Sequence, residues 1–492
     1  MNSRNLAKNT TFYTMALAGQ KALSFVYFIL VARFIGVEDQ GKFTFALSFT
    51  TIFAMFLDLG LTQIIIRETA KDKNKAEKYL AATVGFKIAA SFFIYALVIV
   101  LVNIMGYSEL TKNLVYVSGL VMLLDSFSLS FYGAIRGHQN LFYESIGVIL
   151  NQIIVLAIGV VVIFMHLGLI PLMAVYLLGS LSNFIWSVFN LQKKFGVRVH
   201  ALFDWPLTRQ LLLLSLPFAI AGIFSRIFSS IDVVLLSKMA GDRAVGIYSV
   251  AFRAAFALQF VAMAFSAAIY PAFSNYFAHE REKLSDLFVK SMYWLMFLAA
   301  PLSFGVISIA DKAIVPIFGA QYADSVLPLQ ILMAALLLVF LCFPIGALLN
   351  ACDRQRRHTI NLGIVATFSF LANLFLIPIF SYVGSAYANF FSYLLLFILG
   401  IIVAGQIINY NKKFLFISMA KIFLACIIMW GAVDLIKDKV HFITAVVLGV
   451  LVYFLVAYAL GLYSITSIKG FAKEFLNKKS NLEKYEENIA GD

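Results

Sequence analysis

The feature that most constrains this chain of 492 residues is a succession of fourteen apolar windows, each long enough to cross a lipid bilayer. A transmembrane helix needs about 20 mostly apolar residues. Hydrophobic residues make up 62% of the chain and charged residues 13%, against about 45–50% and about 25% in soluble domains. We therefore predict an all-α polytopic membrane protein. The windows cover 11–35, 43–66, 79–104, 113–135, 143–165, 168–191, 210–237, 244–272, 285–310, 325–350, 358–379, 381–408, 415–436 and 440–463.

The basic residues predict how these windows are oriented in the membrane. Cytoplasmic loops of membrane proteins are enriched in Lys and Arg. With the N-terminus inside, the cytoplasmic segments hold 24 of the 38 basic residues and the external loops hold 8. This split predicts a multi-pass protein of the plasma or inner membrane with both termini in the cytoplasm. The stretch 312–324 is then expected to be an external loop.

A parallel repeat relates the two halves of the chain. A shift of 205 residues aligns two stretches that each join one span to the next. Both stretches carry a basic residue, a glycine three residues later, a second glycine five residues further on and then an aromatic residue. Because six spans separate the copies, they have the same orientation, and a pseudo-two-fold axis along the membrane normal is expected. The aligned pairs include Lys21 and Arg226, Arg33 and Lys238, Gly36 and Gly241, Gly41 and Gly246, and Phe43 and Tyr248.

The repeat predicts two parallel six-helix lobes followed by two further helices. The connection between the lobes holds basic residues beside Trp205, which is typical of a segment lying on the membrane surface, although a solvated linker fits equally well. The expected segments are a cytoplasmic N-terminus at 1–10, an N-lobe at 11–191, the interlobe connection at 192–209, a C-lobe at 210–408, the two extra spans at 415–463 and a polar cytoplasmic tail with a short surface helix at 464–492.

Ionisable residues deep inside the spans are the candidates for function. Such residues are costly in lipid and commonly face a cavity or a charged partner. Internal salt bridges between helices are the alternative explanation for each of them and the favoured one for Asp58 and Asp232. A role in coupling transport to ions is the other interpretation for the carboxylates. The set comprises Lys21, Asp58, Lys87, Asp125, Arg226, Asp232 and Arg253.

Three of these residues form a candidate substrate site. The repeat makes Lys21 and Arg226 equivalent positions on the first helix of each lobe. Cations that face one another across a lobe interface suit an anionic ligand such as a phosphate or pyrophosphate. Arg253, whose equivalent is Ser48, is a further candidate without a symmetric partner.

No catalytic or metal-binding pattern accompanies these charges in the sequence. The three cysteines and six histidines lack the spacing of metal ligands. Gly36-x4-Gly41-Lys42 resembles the start of a phosphate-binding loop, but Phe43 stands where Ser or Thr is required, and no strand precedes it. We expect a protein that is not an enzyme, needs no cofactor or metal and binds no nucleic acid.

Several short segments together resemble one family of membrane transporters. In their order and spacing over residues 5–465, they resemble the polysaccharide-biosynthesis transporters. These are the Wzx-type flippases of the multidrug/oligosaccharidyl-lipid/polysaccharide exporter superfamily. The segments are Ala32-Arg33-Phe34-Ile35-Gly36-Val37-Glu38-Asp39-Gln40-Gly41-Lys42-Phe43, Asp58-Leu59-Gly60-Leu61, Arg67-Glu68, Ser215-Leu216-Pro217, Val245-Gly246-Ile247-Tyr248-Ser249 and Tyr270-Pro271-Ala272.

The resemblance implies two six-helix lobes around a V-shaped cavity and transport by alternating access. The implied substrate is a polyprenyl-(pyro)phosphate-linked oligosaccharide, moved from the inner to the outer leaflet for cell-surface polysaccharide assembly. Cations on the first helices of the lobes line the cavity in such families, which implies this role for Lys21 and Arg226 and extends it to Arg253. The implied partners are membrane lipids and polysaccharide polymerase or assembly proteins. The two extra spans would flank a groove for the lipid tail.

Two other functions stay open on the sequence. An ion-coupled multidrug or small-molecule exporter of the same superfamily would hold cationic drugs on unpaired carboxylates, and Asp58 or Asp232 would then be essential. A membrane glycosyltransferase or polymerase would also handle lipid-linked sugars. It would need a catalytic cluster near large external loops, whereas the external loops expected here are short.

Overall fold

The computed structural model describes residues 3–463, with side chains from residue 12 onward. This part of the chain forms fourteen α-helices and two short 3-10 helices and contains no strand. The predicted all-α class is therefore confirmed. The surface helix predicted within 464–492 lies outside the described residues.

The helices follow one another with short connections. The 3-10 helices span Lys73–Lys75 and Ala320–Ser325. The α-helices are α1 Ser3–Ile35, α2 Val37–Asp58, α3 Leu61–Lys71, α4 Ala76–Ile104, α5 Glu109–Gly137, α6 Phe142–Phe164, α7 Leu169–Phe195, α8 Trp205–Phe256, α9 Gln259–His279, α10 Arg281–Phe318, α11 Val326–Ala351, α12 Gln355–Ile407, α13 Lys412–Ile436 and α14 Phe442–Ala459.

Breaks inside two long helices bring the number of membrane crossings to fourteen. In the described chain, eleven helices are long and apolar enough to cross a membrane, and the bent pair α2–α3 is a twelfth. Helices α8 and α12 have 52 and 53 residues, more than twice what a bilayer core of about 30 Å requires. They break at Gly241 (φ 82°) and Ser381 (φ 51°), so each crosses twice. Helix α9 continues the second half of α8.

Two local predictions need correction. The window 43–66 is not one straight helix, because Leu59 and Gly60 adopt left-handed backbone conformations and α2 and α3 meet at a bend of 43°. The loop expected over 312–324 was also wrong. Helix α10 continues to Phe318, because Ile314 and Phe318 are buried against the neighbouring helices, and a 3-10 helix follows.

Successive crossings place the connections alternately on two faces. We call the face formed by the connections 72–75, 138–141, 196–204, 352–354 and 408–411 the basic face. The face formed by 105–108, 165–168, 319–325 and 437–441, together with the breaks at Gly36 and Gly241, is the opposite face.

The helices pack into two groups and an additional pair. In the first group, α1 and α7 pack on α6, and α2, α4 and α7 pack on α5. In the second group, α8 and α11 pack on α12, and α9 and α10 pack on α11. Helices α13 and α14 pack on each other and on α10. The predicted arrangement of two six-span lobes plus two helices is confirmed, and α2 and α8 form the main contact between the lobes.

Candidate functional site

A pair of reciprocal close approaches joins the lobes at the opposite face. A Cβ atom at Gly41 would lie 1.8 Å from the Asp242 carbonyl oxygen, and a Cβ atom at Gly246 would lie 1.9 Å from the Val37 carbonyl oxygen. Gly41 and Gly246 are 205 residues apart in the chain, and so are Val37 and Asp242. The two contacts are therefore related by the pseudo-two-fold axis. Only glycine fits at both positions, since any side chain would collide with backbone.

Two basic side chains close the same interface in a second symmetric pair. Arg33 donates from Nη1 to the Pro316 carbonyl oxygen at 3.0 Å, at the end of α10 in the other lobe. Its equivalent Lys238 donates from Nζ to the Met105 carbonyl oxygen at 2.6 Å, directly after α4 in the first lobe. The last carbonyls of a helix have no partner within the helix, and cations are stabilised there by the helix dipole. Each lobe therefore caps a helix of the other.

The buried side chain of Tyr322 completes this interface. Its hydroxyl donates to the Ala32 carbonyl oxygen at 3.0 Å, and Gln321 Nε2 donates to the same oxygen at 3.2 Å. The end of α1 is thus bonded to the 3-10 helix that follows α10. These contacts close the lobes on one another at the opposite face.

Two predicted substrate cations lie close together between the lobes. Arg253, on the second half of α8, places its guanidinium over the ring of Phe28 on α1, 4.8 Å from the ring centroid. Lys21, two turns before Phe28, is near enough to Arg253 for their charges to interact, and both side chains are exposed. Within the described residues, neither cation forms an ion pair. Two unneutralised positive charges from different lobes therefore share one region.

Arg226 lies on the face of α8 that meets the first lobe. A Cβ atom at Gly222, one turn earlier, would lie 2.2 Å from Met55 Cε of α2, and residues four apart share a helix face. The Arg226 side chain is exposed and forms no ion pair within the described part of the chain. No direct contact joins it to Lys21 or Arg253 there.

Asp58 and Lys87 pair with each other inside the first lobe. Lys87 Nζ donates to Asp58 Oδ1 at 2.9 Å, to the Ser126 carbonyl oxygen at 2.7 Å and to Ser126 Oγ at 3.0 Å. Thr62 donates its hydroxyl to Asp58 Oδ1 at 2.5 Å. The group joins α2, α3, α4 and α5 next to the bend at Leu59. Asp58 therefore does not neutralise the predicted substrate cations.

Asp232 and Asp125 differ in their surroundings. Asp232 is buried and accepts hydrogen bonds from the Tyr248 hydroxyl at 2.5 Å and from the Val233 N–H at 2.8 Å, so it too is occupied within its own lobe. Asp125 on α5 keeps an exposed side chain beside Ser180 of α7. Asp125 is thus the predicted carboxylate that stays accessible.

The symmetric contacts at the opposite face were not among the functional features predicted from the sequence. The 205-residue repeat already contained the signal, since it aligned Arg33 with Lys238 and Gly41 with Gly246. Which carbonyls these residues meet depends on the packing of distant helices. Residues 3–463 contain no group of His, Cys, Asp and Glu side chains arranged to hold a metal ion.

Two pseudo-symmetric lobes of six spans, with cations between them that form no ion pair within residues 3–463, make this chain a multi-pass membrane protein. The fold is similar to the Lipid II flippase MurJ in an inward closed conformation (TM-score 0.76, 15% identity, 90% of this chain and 97% of that one). It is also similar to an inward-facing multidrug resistance MATE family transporter (TM-score 0.63, 14% identity, 79% and 95%).

A comparison with models of known protein families identifies the family of this chain. The model of the family described as "Polysaccharide biosynthesis protein" matches residues 6–277, and the chain belongs to that family. The Succinoglycan biosynthesis transport protein ExoT of Rhizobium meliloti is 24% identical over 66% of this chain and 64% of its own length. The Capsular polysaccharide biosynthesis protein CapF of Staphylococcus aureus is 21% identical over 77% of this chain and 94% of its own. The predicted Wzx-type identity is thereby confirmed.

Proposed function

We propose that this protein is a flippase that moves a polyprenyl-(pyro)phosphate-linked oligosaccharide from the inner to the outer leaflet of the cell membrane, with both termini in the cytoplasm. The observation that carries the proposal is that Lys21, Arg226 and Arg253 are exposed between the lobes and form no ion pair within residues 3–463. A phosphate or pyrophosphate is the ligand that best matches such a group. The family of the chain and the names of its relatives support a sugar-linked substrate.

The surrounding carboxylates support an anionic rather than a cationic substrate. Asp58 is paired with Lys87, and Asp232 is bonded to Tyr248, so neither carboxylate is free to hold a cationic drug. Of the predicted carboxylates, Asp125 alone is then left accessible to a substrate. In this proposal the polymerase or assembly proteins that use the flipped sugar act on the outer side.

Membrane potential supplies a driving force without ATP. Each negative charge that leaves a negative-inside cell gains about 2.3 kcal/mol per 100 mV. If the site cations neutralise the substrate during transit, the loaded protein gains little from the potential. The potential then drives the return step, in which the empty site carries a positive charge. We therefore expect the flipping rate to drop when the potential is collapsed with an ionophore in loaded vesicles. An unchanged rate would contradict potential coupling.

The decisive experiment follows a fluorescent lipid-pyrophosphate oligosaccharide in reconstituted vesicles. Lys21→Ala, Arg226→Ala and Arg253→Ala should each abolish or strongly reduce flipping, because each removes a charge that binds the pyrophosphate. Lys421→Ala is the matched control, since Lys421 is exposed and donates to the Leu460 carbonyl oxygen directly after α14, away from the site. Wild-type rates in all three site variants, with the protein still folded, would make these cations structural.

An ion-coupled exporter, the alternative function, predicts different effects of the variants in the same reconstituted vesicles. An exporter would not flip the lipid-linked sugar, and Asp125→Asn would abolish efflux of a cationic dye, since Asp125 is the accessible carboxylate. For the flippase, Asp125→Asn should leave sugar flipping in place.

A further inference from the structure

Four arginines surround a pair of adjoining cavities on the basic face, far along the chain from the substrate cations. A cavity of about 530 Å³ is lined by Asp353, Arg354, Arg356, Arg357 and Ile360. A second cavity of about 380 Å³ shares Asp353 and Arg354 and adds Arg281 and Cys352 among its walls. Ligand pockets in proteins commonly have volumes in this range. The cavities lie where α11 turns into α12, beside the start of α10 and the end of α12.

The walls of these cavities carry a net positive charge. Arg354, Arg356 and Arg357 form no ion pair within the described residues, and Arg281 stacks on Phe277 at 5.1 Å instead of pairing with a carboxylate. Asp353 is the one acidic side chain in the walls. Burial raises the pKa of the Cys352 thiol to about 11, so this thiol adds no negative charge at neutral pH. Four guanidinium groups against one carboxylate leave a strong preference for an anion.

The shape below the arginines indicates which anion fits. Along α12, an exposed apolar stripe begins at the cavity wall and runs toward the middle of the membrane. Its members recur every three or four residues and so share one helix face. They are Ile360, Ile364, Phe368, Leu371 and Phe375, which are between 37% and 71% exposed. A phosphate group at the level of the arginines would thus have its acyl chain beside an apolar surface.

We propose that these residues form a binding site for the phosphate of an anionic membrane lipid, with Arg281, Arg354, Arg356 and Arg357 around the headgroup and the α12 stripe against an acyl chain. Arginine suits this role because its planar fork donates two parallel hydrogen bonds to phosphate. Helix α12 also begins without a side-chain cap, so its first N–H groups add to the attraction for an anion. The site is separate from the substrate cations and does not depend on the proposed function.

Native mass spectrometry of the full-length protein tests the site. The protein is held in a neutral detergent and titrated with phosphatidylglycerol. The wild type should retain one lipid at low concentration, and Arg356→Gln/Arg357→Gln should weaken this binding about tenfold or more. Lys193→Gln/Lys194→Gln is the matched control, because it removes two adjacent exposed charges from the same face at the end of α7. Equal loss in both double variants, or retention in both, would overturn the proposal.

A further variant distinguishes recognition of the phosphate by arginine from attraction by positive charge alone. Arg356→Lys/Arg357→Lys keeps both charges but removes the planar forks, so binding should fall clearly below that of the wild type. Wild-type binding by this variant would overturn recognition by arginine. Unchanged elution and thermal unfolding confirm that each variant is folded, and the single variant Arg357→Gln provides a milder version if the double variant is unstable.

The source of the phosphate is settled by two further titrations. Inorganic phosphate should bind far more weakly than phosphatidylglycerol, because it gains nothing from the apolar stripe. Diacylglycerol, which lacks the phosphate, should not bind. If inorganic phosphate bound as tightly as the lipid, the proposal of a lipid ligand would be overturned. The cavities would then be assigned to a soluble phosphate compound. Tight binding of diacylglycerol would overturn the role of the arginines.

Discussion

At the scale of single residues, the pair of Asp58 and Lys87 shows how this protein keeps charges inside a membrane. The exposed fractions of the two side chains are 10% and 1%, and Ser126 and Thr62 supply the remaining hydrogen bonds. A buried pair offsets its desolvation only when the geometry is good and further hydrogen bonds are made. Both conditions hold at this site, next to the bend between α2 and α3.

Removal of one partner should be costly. We expect Lys87→Ala to lower the free energy of unfolding by about 3–5 kcal/mol, because Asp58 is then left buried without its cationic partner. The double variant Asp58→Leu/Lys87→Met should recover most of that loss. Thermal unfolding in detergent measures both. Lys75→Gln, which breaks an exposed pair with Asp72, is the control and should cost less than about 1 kcal/mol. If the double variant is as unstable as Lys87→Ala, the ion pair is not the cause.

The stacking of Arg253 on Phe28 gives a second prediction at this scale. Phe28→Leu should slow flipping about 3- to 30-fold, because the cation–π contact that positions the guanidinium is lost. In an Arg253→Ala background, the same change should have little further effect. The vesicle assay described above measures the full double-mutant cycle. Additive effects of the two changes would mean that Phe28 acts through packing alone.

At the scale of helices, the approach of α2 to α8 depends on the absence of side chains. Gly41 and Gly246 each face a carbonyl oxygen of the other lobe at a distance that no Cβ atom tolerates. Straight, continuous helices would not meet in this way. The positive φ angles at Gly36 (86°) and Gly241 (82°) redirect the chain just before the contact.

Gly41→Ala and Gly246→Ala should therefore force the lobes apart at the opposite face. Pulsed electron-spin distance measurements between labels at Glu109 and Asp324, both exposed and on different lobes, should show a shift to longer distances in either variant. Gly431→Ala is the control, because a Cβ atom there meets nothing within 4 Å. Unchanged distances in both variants would mean that the lobes close without this contact.

At the scale of the whole molecule, the two lobes are held by contacts that obey the same two-fold symmetry. Arg33 caps α10 of the second lobe, and Lys238 reaches the end of α4 in the first. The family resemblance implies alternation between two states, and exposed polar contacts of this kind suit a closure that has to open repeatedly. Each is a hydrogen bond to a charged donor, which contributes about 1.5–3 kcal/mol.

We expect Arg33→Gln and Lys238→Gln to favour the state that is open at the opposite face. Each single change should raise the fraction of long distances between the labels at Glu109 and Asp324, and the double change should raise it further, since the contacts lie on opposite sides of the axis. Lys439→Gln removes the same charge from the same face without touching the interface and should have no effect. An effect of Lys439→Gln equal to the others would point to surface charge in general.

The sequence by itself determined the properties that depend on composition and local periodicity. The cost of exposing backbone or charge to lipid forces long apolar helices, so the class, the number of crossings and most helix positions could be predicted. The repeat was visible because both lobes keep the same residues at the same turn. Lys21, Arg226 and Arg253 stood out because charges inside spans are rare.

Only the tertiary structure decided which groups meet. The sequence did not indicate that Asp58 pairs with Lys87 or Asp232 with Tyr248, since these contacts join different helices through packing. The bend after Asp58 and the helix through 312–318 also depend on neighbouring helices. The cavities between Arg281 and Arg357 are formed by residues from 277–281, 352–360 and 406–407, three segments that are distant from one another in the chain. Apolar periodicity determines how each helix lies in the membrane. Contacts between side chains of different helices depend on shape and charge in the packed structure.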